Sequence, residues 1–528
     1  MTNQMMLLKA QWLLLAFFLG GLSAYGQSPG VANHSSYQPP VFTDSARMRK
    51  IAAAFPVIEK MYLEYAEQHH FPGFVFGVVV DGELVHSGQH GYTNIDRKTP
   101  VTNRSIFRIA SMTKSFTAMA ILQLRDAGKL RLDDSVHSYV PALKNATYLT
   151  QDAPVITIRH LLTHAAGFPE DNPWGDRQLA DTDAEFTELL EGGISFSNVP
   201  GVAYEYSNLG FTLLGTIITE VSGQPYQQYI CENILKPLGM DNTYWEYTEV
   251  PTEQLAQGYR WAALRRAKEG WQEEPLLPDG AFGAMGGLWT SLEDFSRYMA
   301  LHQAAWPPRD EGDQKVLKRS SLREMQQPQR ISYFNPEYQY PSGEECGIMA
   351  GYNAGLGWIK DCKSRVRVGH TGGLPGFGSN WLILPDYGIG LVCLANLTYA
   401  PTSAINVAVM DTLFALADPQ PRELPVSPIL EQRKQELLEV LPDWPEAKTS
   451  GLFAENFFLD TPRDSLRKET QRAFQKIGKI VNVHALQAEN QLRGSFVIEG
   501  ATGKAEVFFT LTPQRVPLIQ AFGISQIE

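Results

Sequence analysis

Cysteine is scarce. The four in this chain of 528 residues, Cys231, Cys346, Cys362 and Cys393, include no pair spaced like a metal knuckle. An excess of basic charge is also missing. Against 45 Lys and Arg stand 57 Asp and Glu, a formal net charge of −12, which argues against a nucleic-acid or anionic-membrane partner. No internal repeat and no low-complexity tract occurs, so neither a solenoid nor a disordered chain is expected. A Gly-x-Ser-x-Gly elbow is absent, which closes the α/β-hydrolase route. Gly373-Leu-Pro-Gly376-Phe-Gly378 has neither the spacing nor the context of a dinucleotide fingerprint. His160 and His164 stand four apart, but Leu161 and Leu162 fill the positions where a zinc-protease helix carries its glutamate. No metal and no cofactor are expected.

Long apolar runs are equally few. The one from Trp12 to Leu22 is short for a membrane span, follows Lys9 and precedes the small-x-small pattern Ala24-Tyr25-Gly26. Residues 1–26 are therefore expected to be a secretory signal. No cysteine lies near the end of that run to take a lipid. The mature protein is expected to be exported, periplasmic or extracellular, without stable membrane insertion. Export would permit a disulfide between Cys346 and Cys362, which flank one Gly-rich segment; the alternative is four small buried hydrophobes.

What is present divides the chain. Residues 27–44 are polar and rich in Pro and Ser, a linker. Ser45 to Gln68 has helical periodicity, Phe74 to Val80 reads as a strand, and Asp81-Gly82 turns it back over Glu83 to Gly88. Ser111 to Ala127 is a helix with one apolar face. Residues 128 to about 350 read as mainly helical with long loops, including patterns at 157–164, 211–221, 227–235 and 292–302. Strands return in the hairpin 380–384/389–394, and a helix over about 403–417 closes the unit. Strands at both ends around a helical insertion predict one α+β domain, residues 45–417, with an antiparallel sheet flanked by helices. Prolines at 419, 421, 425 and 428 mark a linker over 418–428. Residues 429–528 then read as a small α+β domain, with helices near 429–440 and 465–477 and a meander of strands. It carries no evident chemistry.

The chemistry concentrates in three places. Ser111-Met-Thr-Lys114 opens a helix, where residues three apart share a face, so the hydroxyl and the ammonium meet at the N-terminus. A serine needs a base to become a nucleophile, and a desolvated lysine can be one. Free N–H groups of the first turn favour the negative charge of acyl transfer. The same pattern recurs at Ser465-Leu-Arg-Lys468, but there it sits on a charged, solvated helix face. Tyr206-Ser207-Asn208 precedes a helix beginning at Leu209. The tyrosine can relay a proton and the amide can serve the lysine or a substrate amide, or Ser-Asn can simply cap that helix. Val368-Gly-His370-Thr371-Gly372-Gly373 is a strand whose glycines let backbone N–H groups approach a ligand. Thr371 can bind a polar group there, and His370 can carry a charge.

Taken together, Ser111-x-x-Lys114, Tyr206-x-Asn208 and His370-Thr-Gly-Gly373 resemble the serine β-lactamase and penicillin-binding-protein superfamily. Their order and spacing are closest to the branch with class C β-lactamases, D-alanyl-D-alanine carboxypeptidases, D-aminopeptidases and related esterases. Ile158-Arg-His-Leu-Leu-Thr-His164-x-x-Gly167 and Gly286-Gly-Leu-Trp-Thr-Ser-x-x-Asp294 match its framework. The resemblance implies a β-lactamase/transpeptidase-like fold, a Ser111 acyl-enzyme, and proton transfers shared by Lys114 and Tyr206, either being the base. Asn208, His370, Thr371, Gly372 and Gly373 would bind substrate and oxyanion, and the substrate would be a small molecule or peptide. The third motif departs from the common lysine at His370, which titrates near neutrality and weakens the case for β-lactams and terminal carboxylates. An esterase or amidase is therefore expected ahead of a D-amino-acid peptidase, carboxypeptidase or β-lactamase. A non-catalytic sensor or scaffold is the rival of another kind.

Overall fold

The computed structural model describes residues 37–262, 270–310, 312 and 315–527. The signal segment expected at 1–26 lies outside them. The described residues divide into two compact units, Phe42–Arg422 and one comprising Glu423 onward with residues 37–41.

The larger unit is built on a nine-stranded antiparallel sheet in the order β3-β2-β1-β9-β8-β7-β6-β5-β4. The strands are β1 (Gly73–Val80), β2 (Glu83–Asn94), β3 (Thr99–Pro100), β4 (Arg330–Asn335), β5 (Ile348–Asn353), β6 (Leu356–Asp361), β7 (Val366–Leu374), β8 (Phe377–Leu384) and β9 (Ile389–Ala395). Alternation gives each face its own core. Phe74, Phe76, Val78 and Val80 of β1, with Leu382 and Leu391, meet helices α1 (Arg47–Ala53), α2 (Phe55–Gln68) and α6 (Thr402–Ala417). Val75, Val79, Trp381, Ile383 and Val392 join the other layer, with α3 (Thr113–Asp126), α4 (Asn208–Ser222) and α5 (Leu292–Gln303). The sheet is therefore central, assembled from both ends of the unit around an insertion.

Three sequence expectations need correction. The helix over 45–68 is two helices, because Pro56 sits in the first turn of α2 and its missing N–H fits a helix start better than an interior. The stretch to 350 is less helical than its pattern implies. It holds the hairpin Tyr259–Ala262/Gly270–Glu273, the edge strand β4 and the start of β5. The cysteines are not four equivalent buried thiols either. Cys346 and Cys362 form a disulfide, while Cys231 and Cys393 are free.

The smaller unit packs α7 (Pro428–Val440) and α8 (Arg463–Ile477) on a five-stranded antiparallel sheet. Its core alternates Phe496 and Ile498 with Ala505, Val507 and Phe509 on facing strands. Ser465 and Lys468 lie exposed on α8. Among the described residues no helix is long and apolar enough to cross a membrane.

Candidate active site

Ser111 sits in a single tight turn, Ala110–Met112, that leads into α3. Ala110 has φ +49°, a left-handed backbone that costs a non-glycine residue about 1 kcal/mol and persists only where its surroundings fix it. Ile109 is the fixed point. Its N–H donates to Leu288 O at 2.9 Å and its carbonyl accepts from Ser379 Oγ at 2.8 Å. Strand β7 runs against this turn at Gly372, where any Cβ would collide with Ile109 O and Ser379 Oγ. The glycine predicted as a site residue thus lets the sheet touch the turn.

Lys114 is fully buried. Its Nζ lies 2.7 Å from Asn208 Oδ1, 2.9 Å from Met285 O and 3.0 Å from Ser111 Oγ. The first two acceptors cannot donate, so they hold two N–H groups whichever form the amine takes. The third direction faces Ser111. There the ammonium donates and the neutral amine presents its lone pair. Burial pulls the Lys114 pKa down to about 7, with Asp176 and then Asp171 working against it. Met285 belongs to the glycine-rich stretch following Phe282, which is pinned to α3 by Thr117 Oγ1 donating to Ala284 O at 2.6 Å and Leu288 N–H donating to Thr113 Oγ1 at 3.2 Å.

Tyr206, Ser207 and Asn208 serve both readings given to them. Ser207 caps α4, accepting from Gly210 N–H at 3.2 Å, and the same turn delivers Asn208 to Lys114. Burial raises the Tyr206 hydroxyl well above its ordinary value, and a hydrogen bond with Ser111 opposes that rise. Tyr206 therefore stays protonated at neutral pH, with its ring centroid 4.9 Å from Lys114 Nζ.

His370 joins this group from β7, its ring 6.1 Å from that of Tyr206. Its Nδ1 lies 2.6 Å from Thr371 O, which can only accept, so Nδ1 carries the proton and Nε2 accepts from Tyr352 Oη at 3.0 Å. Burial, then Lys114, push its pKa down to about 3. The charge that the sequence allows His370 is therefore absent at physiological pH. Thr371 Oγ1 accepts from Asn380 Nδ2 at 3.0 Å, leaving its O–H free to donate outward. Gly373 lies under the Tyr399 ring, which a Cβ would strike. Pairing of β6 with β7 ends at Gly357↔Gly369, so β7 has no strand partner on that edge from His370 to Leu374.

Four residues of the site, Asp171, Asp176, Tyr352 and Tyr399, were not visible in the sequence. Asp171 accepts from the N–H groups of Asn208 at 2.6 Å and Leu209 at 2.9 Å, a negative charge on the N-terminus of α4. Asp176, 3 % exposed, lies 3.5 Å from Asn208 Nδ2 and accepts from Tyr399 Oη at 2.9 Å. Burial raises its pKa to about 6. Tyr352 fixes the His370 tautomer. No local spacing ties any of these four to Ser111. The histidines weighed as metal ligands have other partners: His160 Nδ1 accepts from Thr157 N–H, and His164 Nδ1 accepts from Ser207 N–H, its ring 4.3 Å from that of Tyr206.

A model of the family described as Beta-lactamase matches residues 58–413. Protein flp of Staphylococcus aureus strain MW2 is 29 % identical over 347 residues, covering 63 % of this chain and 62 % of that protein. Beta-lactamase-like protein 2 of Dictyostelium discoideum is 32 % identical over 264 residues, 47 % of each. The chain thus spans less than two thirds of the curated relatives it matches. Among solved structures, the octameric penicillin-binding protein homologue from Pyrococcus abyssi superimposes with a TM-score of 0.56 at 22 % identity, over 89 % of this chain and 95 % of that one, a likeness of fold. A D-stereospecific amidohydrolase from Streptomyces sp. gives 0.53 at 25 % identity, over 68 % and 98 %.

Proposed function

The chain belongs to the Beta-lactamase family, and from that premise we propose that it is an exported serine hydrolase cleaving an ester or amide through a Ser111 acyl-enzyme. The observation that carries this reading is Lys114, buried, with two directions held by carbonyl oxygens and the third on Ser111 Oγ. Of the two candidate bases, Lys114 has the pKa suited to neutral pH, about 7, while Tyr206 remains a phenol.

In acylation the neutral Lys114 amine takes the Ser111 proton as Oγ bonds to the substrate carbonyl carbon. The carbonyl oxygen becomes an oxyanion, received by backbone N–H groups of Ser111 and the Gly372-Gly373 stretch. The carbon–heteroatom bond then breaks. Tyr206 gives its proton to the departing oxygen or nitrogen and is reprotonated by the Lys114 ammonium. Water repeats the sequence on the acyl-enzyme and releases the acid.

His370, being neutral, brings no fixed charge to the reacting carbonyl, which favours neutral acyl groups over β-lactams. A D-amino-acid amidase or peptidase is the second reading. It draws on the Streptomyces amidohydrolase and on the unpaired edge of β7, which suits an extended peptide. Export rests on the leader-like N-terminus and on the Cys346–Cys362 disulfide, a bond typical of oxidising compartments.

The test is labelling with a fluorophosphonate and a fluorescent penicillin, alongside hydrolysis of p-nitrophenyl acetate. Wild type should label and turn over, whereas Ser111→Ala should do neither while unfolding at the same temperature. Label on a folded Ser111→Ala protein would reject the assignment. A wild type inert to every probe would favour the non-catalytic sensor or scaffold.

A further inference from the structure

A cavity of about 600 Å³ begins at Tyr206 and His370 and follows β7 away from Ser111, over Gly357 and Gly369, to Arg367. Leu382 and Val407 wall it from the α6 side, and Tyr333 and Tyr338 from the opposite edge. The reaction proposed above uses only its near end.

Arg367 is anomalous. It is 9 % exposed, and among the described residues none of its guanidinium nitrogens has a hydrogen-bond or ion-pair partner; Nη1 is buried without one. A guanidinium cannot shed its proton, and burying it unpaired is costly. The Tyr338 and Tyr340 rings lie 6.0 and 5.9 Å from it, at the outer limit of a cation–π contact. The carboxylate beside Tyr340, Asp361, is already held by Arg365 at 2.6 Å and by Tyr340 Oη at 2.9 Å. The cation therefore faces a cavity without an internal counter-ion.

We propose that Arg367 anchors a carboxylate at the far end of the substrate's acyl or peptidyl chain. Four steps of extended strand separate it from Thr371, roughly 13 Å. That is about the span of three or four extended residues, or of a medium-length linear acyl chain. The aromatic and aliphatic walls suit the apolar part of such a chain. A single cation, with His370 neutral at the near end of the cavity, matches a monoanion better than a phosphate dianion. The substrate class is then an ester or amide that is neutral at the reacting carbonyl and anionic at a distance.

This inference rests on the Ser111 reading, and two measurements keep the two apart. In the first, p-nitrophenyl monoesters of linear dicarboxylic acids, from adipic to sebacic, are compared with the same compounds methylated at the free carboxyl. The anionic-to-neutral ratio of kcat/KM should exceed one at an optimal chain length. In Arg367→Gln it should fall about tenfold, the scale of one charged hydrogen bond, and Arg367→Lys should restore part of it. An unchanged ratio, with both esters equally slowed, would make Arg367 a strut for Tyr338 and Tyr340 and overturn the proposal. The second needs no turnover: calorimetric binding of octanoate and octanamide to Ser111→Ala, with and without Arg367→Gln. A preference for octanoate that disappears with Arg367 supports the anchor even if no ester is cleaved, in which case only the Ser111 reading fails. Equal binding of the two ligands would overturn the anchor.

Discussion

Lys114 and Asp176 meet through a single amide. Asn208 gives its oxygen to the amine and turns its nitrogen toward the carboxylate. The pH dependence of acylation follows from the charges around the amine. Asp176 and Asp171 hold Lys114 toward its charged form; burial opposes them, and neutral His164 and His370 and the phenols of Tyr204, Tyr206 and Tyr399 complete the surroundings. Since the neutral amine is the active form, kcat/KM should rise with pH through about 7. In Asp176→Asn the charge favouring the ammonium is gone, so Lys114 loses its proton more readily and the acidic limb should move to lower pH. Tyr399→Phe, which removes the Oη donor that holds the Asp176 pKa down, makes that carboxyl easier to protonate, so the limb should move in the same direction and by less. A limb that stays in place in Asp176→Asn excludes this carboxylate from tuning Lys114. None of this was legible in the sequence. Ser-x-x-Lys fixes the contact of Ser111 with Lys114 because helical geometry is local, whereas Asp176 reaches Asn208 across 32 positions of the chain. His370 shows the same limit. Its identity was plain, but its neutrality depends on burial against Lys114 and on Tyr352, 18 residues away.

Between elements, the decisive approach is that of β7 to the turn before α3. Gly372→Ala puts a methyl group where Ile109 O and Ser379 Oγ already lie. Backbone cannot yield as a flexible side chain would, so either β7 shifts outward or the strained Ala110 turn relaxes. Both outcomes part Ser111 from the Gly372-Gly373 N–H groups. We expect kcat/KM for p-nitrophenyl acetate to fall about a hundredfold, the scale of one lost oxyanion donor, with a stability loss of about 1–3 kcal/mol by denaturant unfolding. Full activity in a folded Gly372→Ala protein would disconnect this strand from catalysis. At this scale legibility follows side-chain chemistry. Strands β1, β8 and β9 announce themselves through the apolar runs Val78-Val-Val80, Trp381-Leu-Ile-Leu384 and Leu391-Val-Cys-Leu394, because they are buried on both faces. Strands β5 and β6, Ile-Met-Ala-Gly-Tyr-Asn and Leu-Gly-Trp-Ile-Lys-Asp, carry glycines that read as loop. β4 is an edge with Ile331 and Phe334 exposed, so it lacks the alternation of a half-buried strand.

At the scale of the whole chain, the apolar cores are built from separate sets of residues. Those of the Phe42–Arg422 unit run from Ile51 to Ala417, and that of the tail from Leu430 to Ile519. Every side chain assigned to the reaction lies in the Phe42–Arg422 unit. In the tail, the second Ser-x-x-Lys lies in the open on α8, with both side chains exposed to solvent. A core with its own alternating strands and its own buried Trp444, whose Nε1 donates to Thr470 Oγ1 at 3.0 Å, has what a small domain needs to fold alone. A protein ending at Arg422 should therefore remain folded, cleave p-nitrophenyl acetate with kcat/KM within about twofold of the full chain, and lose one calorimetric transition while keeping the other. A separately expressed 423–528 fragment should supply the missing transition and show no turnover. If the shortened protein is insoluble, or melts without cooperativity, the two units share stability and the tail is a structural part of the hydrolase. If it is folded but slower only on long anionic esters, the tail contributes to substrate choice and not to the Ser111 chemistry.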